Sequence, residues 1–244
     1  MNLIVDIGNS FAKVAFFEGG EMLKWQRMDI DHVARFVGES ELAGKCGRCI
    51  VSATVDLPSE LEETLRGLPA RTVLLGAQLR LPFVNCYKTP HSLGTDRMAA
   101  VAGAQRMLPG ENVLVIDVGS CVTYDVLTAD GRYLGGNIAP GLLMRFRSMH
   151  EHTARLPLVD AAGDTPALGC DTETAMRAGV VRGVEFEIRG YIHYLYNKLG
   201  QVKVVLTGGD ADCFKDLLAD VYVYDAHLVL RGLDFILQYN EDNI

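Results

Sequence analysis

Residues Val113–Gly141 read VLVIDVGSCVTYDVLTADGRYLGGNIAPG. An apolar run, Val113 to Ile116, delivers Asp117 to its end. A Gly-centred turn follows at Val118-Gly119-Ser120, then a β-type run from Cys121 to Leu127. A second turn at Ala129-Asp130-Gly131 leads into a third strand and a glycine-rich exit, Gly135 to Gly141. An acid at a strand end beside a glycine turn can hold a cation, and the turn can offer backbone N–H groups to a phosphate. The chain opens in the same way. Ile4-Val5-Asp6-Ile7-Gly8-Asn9-Ser10 is followed by a β-type run and then by Gly19-Gly20, with Asp6 and Asp117 standing 111 positions apart.

Outward from these two stretches, one element order repeats. The first half reads as strands at 2–7, 11–18 and 21–28, a helix capped by Asp31, and a strand at Cys49–Ala53. A helix opened by Pro58-Ser59 and stopped by Gly67 follows, then a strand at Thr72–Leu75. Leu79–Leu93 reads as a loop broken by Pro82 and Pro90, and Gly94-Thr95-Asp96-Arg97 leads into an alanine-rich helix ending at Pro109-Gly110. The second half has strands at 112–117, 121–128 and about 132–139, and a helix at about 142–152. A loop at 155–170 precedes a long helix capped by Asp171-Thr172 and running to about Lys198. A strand at Val202–Leu206 breaks at Thr207-Gly208-Gly209. A helix at about 211–219, a strand at 221–224 and a helix at about 226–239 complete the chain. A period this long marks domain duplication rather than a solenoid, for which repeats run roughly 20–50 residues. Two similar domains with their glycine turns facing each other would form a ligand cleft.

The 244 residues are 49% hydrophobic and 22% charged, with a formal net charge of −8. The acidic balance argues against general nucleic-acid binding, which needs a basic face. An anionic ligand would have to be met by local cations and backbone amides. No apolar run approaches the roughly 18 residues of a membrane helix. The N-terminal stretch lacks a secretory signal pattern, so a cytoplasmic protein is expected. Six cysteines then read as reduced and mostly buried. Cys46-Gly-Arg-Cys49 has redox or zinc spacing but no second ligand pair. His150 and His152, two positions apart on a helix, face different ways.

Each motif carries two readings. Asp6 to Ser10 suits a hairpin turn with positive φ at Gly8-Asn9, or a phosphate loop with Lys13 in reach of the phosphates. Thr207-Gly208-Gly209 suits a flexible connection, or a flat surface for a nucleotide. Gly94 to Arg97 suits helix capping by Thr95 or Asp96. It equally suits a chemical pair: a carboxylate favoured at a helix N-terminus and able to take a proton, and an arginine matched to a substrate carboxylate. A P-loop and a Rossmann glycine motif are both absent.

Together the motifs resemble the type III pantothenate kinase family. They are Asp6-Ile-Gly-Asn-Ser-x-x-Lys13, Tyr87-x-x-Pro90, Gly94-Thr-Asp-Arg97, Asp117-Val-Gly-Ser120, Gly135-Gly-x-Ile-x-Pro-Gly141, Asp171-Thr172 and Thr207-Gly-Gly209, in family order. The resemblance implies an α/β fold of two duplicated RNase H-like (actin-like ATPase) domains around a nucleotide cleft. The expected boundaries are 1–110 and 111–228, with a final helix at about 229–244 packing back on the first domain. It implies ATP-dependent phosphorylation of pantothenate to 4′-phosphopantothenate, the first step of coenzyme A biosynthesis. Asp96 would be the general base. ATP would be bound by Asp6, Ile7, Gly8, Asn9, Ser10, Phe11, Ala12 and Lys13 from one side, and by Ser120, Thr207, Gly208 and Gly209 from the other. Tyr87, Gly94, Thr95, Asp96, Arg97 and Thr172 would contact pantothenate, with Thr172 reaching the neighbouring subunit's site in a homodimer. Asp6 would lie near Mg2+, and Asp117 would bind a monovalent cation, K+ or NH4+. Ser10 and Ser120 stand where the family usually has threonine, and Thr89 where asparagine is common. The competing readings are another kinase or phosphatase of the same superfold, for which Arg97 would have no carboxylate to hold, and a non-enzymatic nucleotide-binding regulator.

Overall fold

A computed structural model describes residues 1–76, 78–218 and 222–243. It divides into two compact units. The first comprises residues 1–110, 129–134 and 227–244, and the second 111–128 and 135–226.

The first unit opens with β1 (Asn2–Ile7), β2 (Ala12–Glu18) and β3 (Glu21–Met28). The tight β2–β3 connection uses Gly19 and Gly20, both at positive φ, where an L side chain would be strained. Then come α1 (Val33–Gly38), β4 (Arg48–Ala53), α2 (Ser59–Gly67) and β5 (Arg71–Leu74). The sheet runs β3-β2-β1-β4-β5, antiparallel across the first three strands and parallel from β1 to β5. Alternation sorts the faces. Leu3, Val5 and Ile7 of β1 pack with Val14 and Phe16 of β2 against Val33 and Val37 of α1 and Leu61 and Leu65 of α2. The opposite face meets α3 (Thr95–Met107) and α7 (Leu228–Tyr239). There Asn2 Nδ2 donates to the buried Asp234 carboxylate of α7 at 2.8 Å.

The alanine-rich composition of α3 lets α7 approach its backbone. A Cβ at Gly232 would overlap the Ala99 carbonyl, and one at Gly103 the Leu228 carbonyl. Gly232→Val should therefore force the helices apart and cost about 3 kcal/mol or more, read as a lower denaturant midpoint with unchanged slope.

The second unit repeats the plan with β7 (Val113–Val118), β8 (Cys121–Leu127), β9 (Arg132–Pro140), α4 (Leu142–Glu151), α5 (Thr172–Arg177), α6 (Gly183–Leu199), β10 (Lys203–Thr207) and β11 (Val223–Tyr224). Its strand order is β11-β10-β7-β8-β9. Leu114, Ile116, Phe146, Val180, Val184, Ile188 and Leu206 lie in one buried cluster. The first three residues of β9, 132–134, belong to the first unit, where Arg132 and Tyr133 pair in parallel with the short strand β6 (Val84–Asn85).

Several local expectations change. The turn at Gly8-Asn9 is not of the positive-φ type: among the described residues no non-glycine has positive φ, and neither does Gly8. Four residues, 8–11, form the loop, closed by the Gly8 N–H donating to Phe11 O at 3.0 Å. Asp31 does not cap a helix, because a 3-10 turn from Ile30 to His32 precedes α1 and its N-cap is Asp29. The 79–93 loop contains β6 and a 3-10 turn at Pro90–Ser92. The helix expected at 211–219 is a 3-10 turn at Ala211–Phe214, and its expected end, Ala219, lies outside the described residues. So does Val221, the expected start of the strand at 221–224, and Ile244, the last residue of the expected final helix. The long helix from Thr172 passes through a π-helical turn, Ala178–Arg182, before continuing as α6. Of the six cysteines only Cys46 and Cys49 are buried, while Cys170 and Cys213 are exposed. Burial pushes the Cys49 thiol up to about 12 and raises that of Cys46, so the pair behaves as inert core. Among the described residues no helix is long and apolar enough to cross a membrane.

Candidate functional site

In the first unit the site residues gather at the C-terminal end of β1. That strand is buried at five of its six positions, and the partly exposed one is Asp6. Cross-strand register sets Lys13 of β2 on one side of Asp6 and Ser52 of β4 on the other. The Ser52 hydroxyl is fully buried and donates to Asp6 Oδ1 at 3.0 Å. It also lies 3.1 Å from Thr95 Oγ1, whose own hydroxyl can donate to Ala53 O at 3.3 Å. A continuous polar path thus joins Asp6 to the first residue of α3, one position before Asp96.

Electrostatics set Asp6 apart. Burial pushes its carboxyl up to about 6; Lys13 and the Ser52 hydrogen bond oppose this, and the neighbouring charge of Asp96 adds to it. Two carboxylates therefore share one region with incomplete compensation. That is an environment a cation would relieve.

The N-cap of α3 is Gly94, with no side-chain capping bond. Neither Thr95 nor Asp96 caps the helix. Thr95 is turned to Ser52 and Ala53, and Asp96 Oδ1 accepts from the Arg97 N–H at 2.8 Å within the first turn. A Cβ at Gly94 would overlap Asp96 Oδ1, so glycine there leaves room for that carboxylate. Arg97 is only 5% exposed, and its guanidinium lies 5.8 Å from the centre of the Tyr87 ring. Tyr87 in turn stacks on Tyr133 at 6.1 Å. The preceding segment is tied down locally, with Ser92 Oγ 2.7 Å from Thr89 Oγ1 and 2.9 Å from Thr89 O. Thr89 therefore shapes this loop through its hydroxyl.

In the second unit Asp117 occupies the corresponding position. β7 has the same burial order as β1, and Asp117 is its partly exposed residue. Thr123 of β8 and Thr207 of β10 stand opposite it in register. Thr207 therefore corresponds to Ser52, each a hydroxyl on the parallel neighbour of the acid-bearing strand. The glycines around this end differ in purpose. Gly208 sits at φ 104 directly against the Val118 backbone, and Gly141 sits against the carbonyls of Gly119 and Ser120, so neither tolerates a side chain. Gly141 N–H donates to Ser120 O at 3.1 Å, and Asp210 N–H to Val118 O at 2.9 Å. Gly209 faces open space.

Among the residues expected to meet the nucleotide, Asn9, Ser10, Phe11 and Ser120 are exposed. The serines at 10 and 120 consequently leave no interior cavity where a threonine methyl would be. The side chains of Ile7 and Ala12 are wholly buried in the core and leave only backbone for a ligand. Thr172 is exposed at the first turn of α5, where Asp171 accepts from the Thr174 N–H at 2.8 Å in a capping box. It borders a shallow depression with Asp171, Glu173, Thr174 and Arg177. None of Asp117, Ser120 or Thr207–Gly209 lines that depression.

Sequence reasoning missed Ser52. A polar residue inside the apolar run Cys49–Ala53 was the available signal, and the duplication would have matched it to Thr207.

The type III pantothenate kinase family model matches residues 2–194. A type III pantothenate kinase of Phocaeicola vulgatus is 44% identical over 244 residues, covering 99% of both chains. Among solved structures, one described as a Baf family transcriptional activator from Campylobacter jejuni superposes with a TM-score of 0.65 at 24% identity, covering 98% of this chain and 99% of that one. One described as a 2-dehydro-3-deoxygalactonokinase protein from Sinorhizobium meliloti gives 0.56 at 14% identity, with 98% of this chain and 99% of that one covered. At these identities the two structures speak for the fold alone, an α/β architecture with two sheets shared with sugar kinases. The duplicated strand-end acids, the ordered motifs and the full-length sequence match converge: this chain belongs to the type III pantothenate kinase family.

Proposed function

We propose that the chain transfers the γ-phosphoryl group of ATP to the primary hydroxyl of pantothenate, forming 4′-phosphopantothenate at the entry to coenzyme A biosynthesis. The observation that carries this reading is the junction at Ser52. It ties a charge-strained carboxylate, Asp6, to the helix turn that holds Asp96 and Arg97. Phosphoryl transfer is a loose process in which positioning and charge neutralisation supply most of the catalysis. These residues are built for those two tasks.

In this reading Arg97 and Tyr87 hold the pantothenate carboxylate end, and Asp96 orients the hydroxyl and takes its proton late in the transfer. Lys13 and the loop amides of 8–11 draw the phosphates. A cation fits beside Asp6, whose carboxyl is pushed up by burial and by Asp96. Among the described residues no three His, Cys, Asp or Glu side chains gather as a metal cluster. Mg2+ is commonly held by one or two carboxylates together with substrate phosphates, and Asp6 would supply one of them. Such an ion supplies Lewis-acid neutralisation of the phosphate charge. Asp117, with Thr123 and Thr207 opposite it in register, would hold the monovalent cation, K+ or NH4+. Ser120, Thr207, Gly208 and Gly209 serve the nucleotide, with Gly209 supplying its open face. Thr172 completes the pantothenate site of the neighbouring subunit in a homodimer. The reaction takes place in the cytoplasm.

The test is coupled ADP release with ATP and pantothenate, then with a sugar panel, in K+ and in Na+. ADP formation that depends on pantothenate, faster in K+, is expected. Turnover with sugars only, or ATP binding without phosphorylation of any acceptor, would overturn the proposal.

A further inference from the structure

One transverse row on the first unit's sheet is polar and carries three charged side chains, where the next row on the same face, Ile50, Ile4, Ala15 and Trp25, is apolar. Ser52, Asp6, Lys13 and Arg27 are consecutive register partners across β4, β1, β2 and β3. Register partners share a face, so Lys13 and Arg27 project side by side. Two cations directly opposite each other destabilise a sheet. Among the described residues neither makes an ion pair within 4.0 Å, and Lys13 is met only from its other side, by the electrostatic attraction of Asp6. Arg27 is nonetheless held in place. Its guanidinium lies 3.8 Å from the centre of the Phe11 ring, the last residue of the loop closed by Gly8. Stacking on an aromatic face leaves the edge of the guanidinium, with its fork of donors, free for an oxyanion.

We propose that Arg27 is a phosphate-contacting residue that acts with Lys13 on the terminal phosphates of the nucleoside triphosphate, with Phe11 as its platform. The arrangement explains both the repulsive pair and the exposed ring. A polyanion seated between the two cations relieves the repulsion, and Phe11 at 42% exposure has its face covered by Arg27 rather than by the core. This inference rests on the nucleotide half of the kinase reading and is independent of the identity of the acceptor.

The sole tryptophan, Trp25, is two positions from Arg27 on the same strand and face, and packs against the His227 ring at 4.4 Å. Its fluorescence, checked by calorimetry, can follow binding of ATP, tripolyphosphate and AMP at fixed ionic strength. Arg27→Ala is expected to weaken ATP and tripolyphosphate about 10-fold and AMP less than about 2-fold, with Arg27→Lys in between. Phe11→Leu should weaken ATP about 3-fold in the wild-type background and have no further effect in Arg27→Ala, because the ring acts through the guanidinium. ATP affinity of Arg27→Ala within about 2-fold of wild type, with circular dichroism unchanged, overturns the proposal. Equal losses for ATP and AMP overturn it as well, since they would assign Arg27 to the nucleoside or to folding. Normal loss of ATP binding in a protein that does not phosphorylate pantothenate would refute the acceptor assignment and leave Arg27 where it is placed here.

Discussion

Asp96→Asn lowers kcat by about 10²–10⁴ and leaves KM for pantothenate and ATP within a few-fold of wild type. Asparagine keeps the shape of the side chain, and its carbonyl oxygen can still accept from the Arg97 N–H as Asp96 Oδ1 does at 2.8 Å. The first turn of α3, the place of Arg97 over Tyr87 and the space at Gly94 are all retained. Only the ability to take a proton and the negative charge are lost. The effect therefore falls on turnover rather than on binding. Steady-state kinetics with a matching thermal melt separate the two roles open to this residue. A folded variant with near-normal kcat would make Asp96 a structural member of the helix start and remove it from the chemistry.

Asp6→Asn has two opposite effects. In catalysis it removes the carboxylate assigned to the metal–phosphate charge, and kcat/KM for ATP should fall about 100-fold or more. In the ligand-free protein it should stabilise the fold above neutral pH. The Asp6 carboxyl is raised from 3.8 to about 6 by burial and by Asp96, so the folded state holds its proton more tightly than the unfolded chain does. Below pH 4 both states are protonated and nothing is lost. Between pH 4 and 6 the unfolded chain ionises first, so native stability declines. Above pH 6 the full penalty is present, about 3 kcal/mol at most for a shift of this size. Urea midpoints measured from pH 4 to 8 should fall across this window in the wild type, and the fall should be smaller by that amount in the variant. Mg2+ with ATP should recover part of the wild-type loss, since a cation near Asp6 removes the cause. Equal pH profiles for the two proteins would show that Asp6 is already compensated. Ser52→Ala should move the same profile the other way, because its hydrogen bond favours the ionised form of Asp6.

Much of this was open to reading from local pattern. β1 ends where an apolar run meets Asp6-x-Gly8, and α2 begins beside Pro58 and ends at Gly67, because these signals act within a few residues of themselves. The two-residue strand β6 has no such signal. It exists because residues 84–85 pair with Arg132 and Tyr133, far along the chain. The Ala211–Phe214 segment shows the reverse error, in which helix-compatible residues make only a 3-10 turn.

The same division runs through the site. The chain's own residues determined that an acid and a glycine turn occur twice at matching strand ends, that Asp96 and Arg97 open a helix, and that no overall positive field would attract an anion. These depend on residue type and short spacing. Tertiary structure alone decided which side chains meet. Parallel pairing across 46 positions set Ser52 on Asp6, antiparallel register set Arg27 beside Lys13, and close packing separated the glycines that must be small, Gly141 and Gly208, from Gly209, which faces open space. The reason is that the alternation of faces along a strand is local, whereas the identity of its neighbours is settled by burial and register over the whole sheet.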